Sequence, residues 1–340
     1  MRLLSLLAWA VLAASVMMVV LASPAWAATY TVTNTADSGA GSLRQAIIDA
    51  NTTTGVADTI NFELGSAATI TLTSAQLPTI TDEAGLTIDG QSVDITVSGR
   101  AVGVFRVASG AKLTLNNLTV TNGNVGGGFG GGIFNEGTLT VTNSALSGNT
   151  GYGGGVYNSG TATVTNSTLS GNAAAEGGGI WNTGTATLKN TIVANSPSGN
   201  NCYGPITVGG YNLDSDNTCG FGTSNNSLSG VDPMLGPLAD NGGPTETHAL
   251  LEGSPAINKG NNAFAVDPDG NPLQFDQRGQ GFARIVGGSV DIGAFEVQGI
   301  GSEPPPTGTP ANKQECKKGG YKEFGFKNQG ECIKAVKKAR

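Results

Sequence analysis

Three near-copies of one segment decide the fold: GGGIFNEGTLTVTNSALSGNT (130–150), GGGVYNSGTATVTNSTLSGNA (153–173) and GGGIWNTGTATLKNTIVANSP (177–197). Ile133, Val156 and Ile180 occupy the same place in the three copies, at spacings of 23 and 24 residues. Self-similarity at this period is typical of a solenoid, because a single copy is too small to bury its own apolar face.

Each copy contains a short alternating segment that predicts a β-strand. TLTVT at 138–142 is matched by TATVT at 161–165 and by TATLK at 185–189, and the flanking Gly and Asn residues supply turns. A repeat this short has no room for a helical crossover, so successive strands should stack in parallel about 4.8 Å apart. The sequence therefore predicts an all-β parallel β-helix, with degenerate copies extending it to roughly seven to nine coils.

Asparagine recurs at three places in the copies. An inward Asn at a tight turn can pass its amide hydrogen bond to the same Asn one coil further on, and Asn tolerates the left-handed backbone of such corners. We therefore expect structural asparagine ladders; disorder of a Gly/Asn/Thr-rich segment is the alternative, which the phased apolar columns disfavour. The columns are Asn135, Asn158 and Asn182; Asn143, Asn166 and Asn190; and Asn149, Asn172 and Asn195.

The copies contain few groups that could perform chemistry. The charged residues between 130 and 197 are Glu136, Glu176 and Lys189, and the two glutamates fall in different columns. A solenoid that cleaves glycans should present facing carboxylates, or a metal-binding carboxylate cluster with a basic partner. We therefore expect no catalytic residue, no metal site and no cofactor.

The N-terminus has the features of a secretory signal peptide at residues 1–27. Arg2 precedes an apolar run at 3–21, and Ala25-Trp26-Ala27 is an A-x-A cleavage site. We expect cleavage near Ala27 or Ala28, with no membrane contact afterwards; the run is also long enough to be an uncleaved anchor.

Residues 28–63 form an N-terminal unit with a strand at 30–34 and a helix at 42–51, which we expect to cap the open end of the β-helix. Ser42 is a candidate N-cap with Gln45 at N3, the arrangement of a capping box. The segment GSLRQAI (41–47) resembles the N-terminal CSLREA motif of secreted bacterial β-helix proteins, although Gly41 replaces its Cys and Gln45 its Glu. The resemblance implies a right-handed β-helix. We expect Arg44 on a solvated helix face; a catalytic role is the alternative.

The coils proper should occupy 64–199, and a different segment follows at 200–298. Cys202 and Cys219 flank its first part and, in an exported protein, should form a disulfide that closes a loop over the later coils. With NGGPTETHALLEGSPAINKG (241–260), DQRGQGFAR (276–284) and VDIGAFE (290–296), the segment resembles the choice-of-anchor Q domain of bacterial surface β-helix proteins. The resemblance implies display on the cell or release, and it brings no catalytic residues.

Several polar groups in that segment have both a structural and a functional interpretation. His248 is the only histidine, and we expect a structural role; a dyad with Asp276 is the alternative. Asp276, Arg278 and Arg284 should form an ion-pair and turn network. Asp214 with Asp216, and Asp267 with Asp269, should form turns, with a weak ion site as the alternative in each case.

A Pro-rich linker at 299–310 leads to a basic module at 311–340, which carries 9 Lys or Arg and 3 acidic residues. Cys316 and Cys332 should form a second disulfide, because so short a module needs a crosslink. The module resembles a short C-terminal segment found on assorted secreted bacterial proteins. Its candidate binding residues, for an acidic wall polymer or a glycan, are Tyr321, Phe324, Phe326 and Lys327; a solvated appendage is the alternative.

Charge limits the partners. Residues 28–310 contain 8 Lys or Arg and 22 Asp or Glu, a net charge of −14, which disfavours nucleic acid and anionic membranes as partners.

We expect a monomeric, exported, non-enzymatic protein, secreted or on the cell surface, that serves adhesion or binds a glycan or cell-wall polymer. A polysaccharide lyase or glycoside hydrolase of pectinase-like architecture is the first alternative, supported by fold analogy. A spacer that displays its C-terminal tail is the second.

Overall fold

The Thr-rich alternating segments form strands that stack in register from coil to coil. A computed structural model describes residues 26–65, 68–90, 95–222, 224–243 and 245–299, together with Lys317. It shows a parallel β-solenoid of about six turns with one α-helix, so the predicted fold class is confirmed. The coil count is slightly lower than the predicted seven to nine, because the chain stops adding coils soon after residue 229.

The helix is α1 (Leu43–Ala50), and two 3₁₀ turns lie at Ser224–Asn226 and Asn262–Phe264. The strands are, in chain order, β1 (Thr29–Val32), β2 (Asp58–Phe62), β3 (Ala68–Thr71), β4 (Leu86–Asp89), β5 (Ile95–Ser98), β6 (Phe105–Val107), β7 (Lys112–Asn116), β8 (Leu118–Thr121), β9 (Asn124–Phe129), β10 (Ile133–Asn135), β11 (Thr138–Thr142), β12 (Ala145–Ser147), β13 (Thr150–Tyr152), β14 (Val156–Asn158), β15 (Thr161–Thr165), β16 (Thr168–Ser170), β17 (Ile180–Asn182), β18 (Thr185–Lys189), β19 (Ile192–Ala194), β20 (Cys202–Tyr203), β21 (Thr207–Gly210), β22 (Leu213–Asp214), β23 (Leu228–Ser229), β24 (Leu235–Asp240) and β25 (Glu246–Leu250).

Three parallel sheets form the sides of the solenoid. Sheet A has the order β1-β2-β4-β7-β11-β15-β18-β21, sheet B the order β23-β22-β19-β16-β12-β8-β5-β3, and sheet C the order β20-β17-β14-β10-β6. The three copies are in register, since Ile133 pairs with Val156 and Val156 with Ile180. These apolar side chains point inward and form one continuous core with Leu, Ile and Val from the other two sheets.

Single left-handed residues make the sharp corner between sheets A and B. Asn117, Asn143, Asn166 and Asn190 have φ between 46° and 55°. Asn accepts this conformation more readily than most residues, so one residue turns the chain without a loop. The corner places β11 and β12 on different faces with only Asn143 and Ser144 between them.

Ser42 is the N-cap of helix α1, and its hydroxyl accepts a hydrogen bond from the amide of Gln45 at 3.2 Å. The Gln45 side chain bonds forward to Asp49 at 2.8 Å, so only the Ser42 half of the predicted capping box is present. Leu43, Ala46, Ile47 and Ala50 are buried and belong to the core of the tube, as expected for a cap.

Arg44 does not lie on a solvated helix face. Its side chain is 13% exposed and forms a salt bridge with Asp37 at 2.6 Å. The guanidinium also donates to three backbone carbonyls, those of Asp37, Ala75 and Gln76, at 2.6–2.8 Å. Arg44 therefore clamps the cap onto the loop that follows β3, because five fixed donors can bind several acceptors at once.

The chain after β23 folds back along the outside of the coils. This C-terminal arm (231–243 and 245–299) begins with the antiparallel hairpin β24–β25 and covers the outer face of sheet B. The segment predicted to be the C-terminal part of the solenoid is thus divided: residues up to 229 stack as coils, and the rest forms a second layer. A separate apolar cluster joins the two layers, and it includes Ile192, Leu213, Leu250, Ala256, Ile292 and Phe295.

The predicted signal peptide up to residue 25 and the C-terminal module lie outside the described residues, apart from Lys317. Within the part of the chain that is described, no helix has the length and apolar character needed to cross a bilayer.

Candidate functional site

Sheet C presents a column of aromatic side chains on its outer face. The column pairs in register across β10, β14, β17 and β20, and its members are Phe134, Tyr157, Trp181 and Tyr203. Each of them directly follows an inward-facing apolar residue. Since neighbouring strands lie about 4.8 Å apart, the four positions extend about 14 Å along the solenoid axis. The column is a direct consequence of the repeat, because each copy places an aromatic residue after its buried Ile or Val.

Two further aromatic residues come from the segments that lead into sheet C. The Phe129 ring lies 4.6 Å from that of Tyr157, and the Tyr152 ring lies 5.1 Å from that of Trp181. Within the column, Trp181 and Tyr203 have centroids 4.4 Å apart, and Phe134 and Tyr157 have centroids 5.2 Å apart. The six rings form one contiguous surface, which we call the aromatic face.

An ion pair closes one end of the aromatic face. Arg106 occupies the same column one coil earlier, and its guanidinium lies 4.8 Å from the centre of the Phe134 ring. Its terminal nitrogen binds Glu136 at 2.8 Å. Arg106 and Glu136 are about two-fifths and one-third exposed, so the pair is a polar margin at the surface.

Within the described part of the chain, the aromatic face is left uncovered, whereas the other sheets meet the C-terminal arm. Side-chain hydrogen bonds between the arm and the coils reach Thr119, Ser147 and Thr168 on sheet B, and the asparagine corner beside sheet A. Phe129 is 48% exposed and Tyr203 is 43% exposed, while the rings between them are half-buried. A contiguous exposed aromatic surface marks a binding site more often than isolated exposed residues do.

Aromatic rings with exposed faces and edges bind partners that combine apolar C–H groups with polar groups. The face carries little charge, since Arg106 and Glu136 neutralise each other. A strongly charged polymer would gain no complementary field here. The arrangement therefore suits an extended, neutral, partly apolar chain that runs parallel to the solenoid axis.

The repeat itself contains the signal for this column. Phe134, Tyr157 and Trp181 are each the fifth residue of their copy, directly after the aligned Ile or Val. Tyr203 has no such signal, since it follows the end of the third copy.

The first predicted asparagine column lies inside the corner between sheets C and A. Asn135 donates to Asn158 at 2.6 Å, and Asn158 donates to Asn182 at 2.7 Å. Each amide also donates to the carbonyl two residues ahead, as Asn158 does to Gly160 at 3.2 Å. All three residues are at most 1% exposed. The column thus supplies hydrogen bonds to the buried backbone of the turn that follows sheet C.

The second column contacts the arm. Asn190 donates to Asn166 at 2.9 Å, and Asn143 donates to Asn117 at 2.7 Å. The side-chain amide of Asn166 donates to a different acceptor, the Phe264 carbonyl of the arm, at 2.6 Å. These asparagines therefore have two structural roles, in the corner and in holding the arm.

The third column has two members in contact. Asn149 donates to Asn172 at 2.9 Å, and both are fully buried. Asn195, the predicted third member, is exposed and lies at a left-handed turn with φ 58°. The repeat ends there, because the chain departs into the disulfide-closed segment.

Buried charges concentrate where the end of the arm folds on itself. Asp276 and Arg278 form a salt bridge at 2.6 Å, and Arg278 lies between the rings of Phe282 and Phe295, 4.0 and 3.7 Å from their centres. Arg284 donates to the Gly293 carbonyl at 2.7 Å and is fully buried. Of the predicted ion-pair and turn network, the structure shows the Asp276–Arg278 pair, whereas Arg284 donates to the side-chain oxygen of Asn166 and to the carbonyls of Asp291 and Gly293.

Two more carboxylates complete this cluster. Glu296 accepts backbone hydrogen bonds from Val286 and Asp291 at 2.9 and 2.8 Å. Asp291 accepts from Asn258 and Val297 at 2.7 and 2.6 Å. Burial, with the adjacent Asp291 carboxylate, raises the pKa of Glu296 to about 8, and burial also raises the pKa of Asp291. These two carboxylates hold loops of the arm together and lie away from the aromatic face.

His248 contacts Ser147 and not Asp276. Its Nε2 lies 2.9 Å from the Ser147 hydroxyl, and its Nδ1 lies 2.9 Å from the Gly236 carbonyl. A carbonyl only accepts, so Nδ1 carries the proton and Nε2 accepts from Ser147. Burial lowers the pKa of His248, which favours this neutral form. Both side chains are buried under the arm, so the pair joins the two layers and has no access for a substrate.

The aspartates of the two candidate ion sites accept hydrogen bonds from the protein itself. Asp214 accepts from Asn201 and the Cys219 amide at 2.8 Å each, and it lies beside the Cys202–Cys219 disulfide. Asp267 accepts from the amides of Asp269 and Asn271 at 3.0 and 2.8 Å. Within the described residues, no group of three or more His, Cys, Asp or Glu side chains is arranged to hold a metal ion.

The second predicted cysteine pair, Cys316 and Cys332, lies outside the described residues, as do the tail residues Tyr321, Phe324, Phe326 and Lys327. Comparison of the chain with protein-family models, curated proteins and solved structures gives no match. The fold and the geometry of the aromatic face therefore carry the functional argument.

Proposed function

We propose that this chain is an exported bacterial β-helix protein that binds a neutral glycan along the aromatic face and serves adhesion. The observation that carries the proposal is the in-register column of Phe134, Tyr157, Trp181 and Tyr203. A pyranose ring has apolar C–H faces and polar edges, which suits stacking on tilted aromatic rings. The strand spacing is comparable with the length of one sugar unit, so successive units would meet successive rings.

Export is part of the same proposal. The A-x-A site after an apolar run supports it, and the Cys202–Cys219 disulfide is the kind of bond that persists in an oxidising compartment. The CSLREA-like cap and the choice-of-anchor-Q-like segment add the expectation of a surface protein. Residues 311–340 would supply a second, basic contact to acidic wall polymer.

Trp181 provides a direct test of glycan binding. It is the only tryptophan after residue 26, so in a chain that begins at Ala28 the tryptophan fluorescence reports on the aromatic face alone. We expect neutral oligosaccharides, taken from a panel of cello-, xylo-, manno- and chito-oligomers, to change the fluorescence saturably. Tyr157→Ala should weaken binding about tenfold, as expected for the loss of one stacking ring.

Ile285→Ala is the matched control, because Ile285 is 44% exposed on the arm and lies away from sheet C. No response to any oligosaccharide, or equal loss in both variants, would contradict the proposal. Release of new reducing ends or unsaturated products in the same incubations would favour the enzyme. Binding to whole cells that disappears only with residues 311–340 would favour the spacer.

A further inference from the structure

Asp58 occupies a position that is apolar in every later coil. It is the first residue of β2 and points inward, with 1% of its surface exposed. The residues in register with it along sheet A are Leu86, Leu113, Leu139, Ala162 and Ala186. A carboxylate at the end of a core column is costly unless a cation or several hydrogen bonds compensate it.

Among the described residues, this carboxylate has one hydrogen-bond partner, which lies at the start of the first strand. The backbone nitrogen of Ala28 donates to Asp58 Oδ1 at 2.7 Å. The other oxygen, Oδ2, is buried and has no hydrogen-bond partner among the residues that the structure describes. None of the salt bridges between described residues includes Asp58. As part of a peptide bond, Ala28 offers one neutral N–H, which leaves half of the carboxylate uncompensated.

The chain leaves the folded body at the same residue. The Ala28 carbonyl accepts from the Thr59 amide at 2.9 Å, so Ala28 already belongs to the β1–β2 ladder. Ala27 is exposed, and Trp26 is 82% exposed, the largest value among the exposed large apolar side chains. Nothing in the described fold uses the residues just before Ala28, and those residues are the predicted A-x-A cleavage site.

We propose that cleavage after Ala27 gives Ala28 a free α-ammonium group that forms a partly buried ion pair with Asp58 and so completes the first coil. A signal peptidase would hydrolyse the Ala27–Ala28 peptide bond: water supplies the hydroxyl of the new Ala27 carboxylate, and the released Ala28 amine takes up a proton. The ammonium has three donors, so it keeps the bond to Oδ1 and can also satisfy Oδ2. This step rests on the export proposed above.

The test uses the full chain, exported by a bacterial host and purified from outside the cytoplasm. Intact-mass and N-terminal analysis should show a chain that begins at Ala28. Asp58→Asn should raise the unfolding equilibrium constant of this chain about tenfold, because it leaves a partly buried ammonium without its carboxylate partner. An insertion of Gly-Ser between Ala27 and Ala28 displaces the ammonium, and in that background Asp58→Asn should have little further effect.

Asp82→Asn is the matched control, since Asp82 is also buried with an unpartnered Oδ2 but has no terminal amine beside it. Its effect should be the same with and without the insertion. If Asp58→Asn does not fold, the acetylation rate of the terminal amine still decides the question. Acetylation should be about tenfold slower in the exported wild type than in the insertion variant, because an ammonium paired with a carboxylate and partly covered by the protein is poorly reactive.

Three results would overturn the inference: an exported chain that begins at another residue, an effect of Asp58→Asn that is equal in both backgrounds, or equal acetylation rates. A chain that retains Met1 and stays in the cytoplasm would overturn it together with the proposed export. Glycan binding is measured separately through Trp181, so failure of the inference and failure of the proposed glycan binding are distinguishable.

Discussion

Asn158 illustrates how much one side chain contributes to this fold. It accepts from Asn135, donates to Asn182, and also donates to the Gly160 and Thr185 carbonyls. The residue is fully buried, so water cannot replace these bonds. Replacing it leaves several buried polar groups unpaired, which costs more than the mean value of a hydrogen bond.

We therefore expect Asn158→Ala to lower the free energy of unfolding by about 2–4 kcal/mol. Urea unfolding followed by far-UV circular dichroism measures this. Asn195→Gly is the control, because Asn195 is exposed and glycine keeps its left-handed backbone, so it should change stability much less. Equal effects of the two substitutions would contradict the ladder's contribution to stability.

Glu296 makes stability depend on pH. Its folded-state pKa of about 8 lies above the ordinary 4.5, since burial and the Asp291 carboxylate disfavour its charge. The native state therefore holds a proton that the unfolded chain loses between these values, so stability is full below pH 4.5, falls up to about pH 8 and then levels. We expect the free energy of unfolding to be about 1–3 kcal/mol lower at pH 8 than at pH 5.

Urea midpoints at the two pH values should differ less in Glu296→Gln than in the wild type, whatever the variant's absolute stability. Asp291 shifts in the same direction, so some pH dependence should remain. Glu252→Gln, at an exposed position, should keep the full difference. A wild type whose stability rises from pH 5 to pH 8 would rule out this role for Glu296.

At the scale of elements, the cap depends on one clamp. Arg44 connects α1 to Asp37 and to the carbonyls of Ala75 and Gln76. Although burial acts to raise it, hydrogen bonds from Arg44, Ser74 and Thr73 hold the pKa of Asp37 well below its ordinary value. The clamp should thus be intact at and above pH 4 and weaken as more acid conditions protonate Asp37.

Arg44→Lys should destabilise the protein by about 1–3 kcal/mol, because one ammonium cannot reach acceptors arranged for a planar fork. Hydrogen exchange followed by mass spectrometry should show faster exchange in α1 and β1 before any change in the later coils. Arg100→Lys, at an exposed position, is the control. If exchange rises equally along the whole solenoid, the cap is not an independently opening element.

The parts of the fold that repeat were predictable, and the parts that do not repeat were not. Spacings of 23 and 24 residues determine which strands neighbour each other, and therefore the registers of sheets A, B and C. The arm has no such guide, since Gln277 binds Thr119 across 158 residues and Arg284 binds Asn166 across 118. The aromatic face lies between these cases: its column follows the repeat, but Phe129 and Tyr152 join it from irregular segments.

At the scale of the whole molecule, the protein has two apolar cores. The tube is filled by one cluster, and a second cluster lies between sheet B and the arm. Coils of a solenoid contact only their neighbours, whereas the arm's contacts extend from Thr119 in β8 to Leu213 in β22. The arm can therefore open as a unit without disturbing the tube, provided its own core is the weaker of the two.

A pair of cavity-forming substitutions tests this separation. Ile292→Ala removes a fully buried side chain from the second core, and Val156→Ala removes a comparable one from the tube. The cost of such a cavity, about 1–4 kcal/mol, should appear as roughly 5- to 1000-fold faster amide exchange in the element that it loosens. We expect Ile292→Ala to accelerate exchange in β25 while β10 and β14 keep their wild-type rates, and Val156→Ala to accelerate β10 and β14. Identical patterns for the two variants would mean that arm and tube unfold as one unit, in which case the arm acts as a permanent wall of the solenoid and sheet B is never available to a partner.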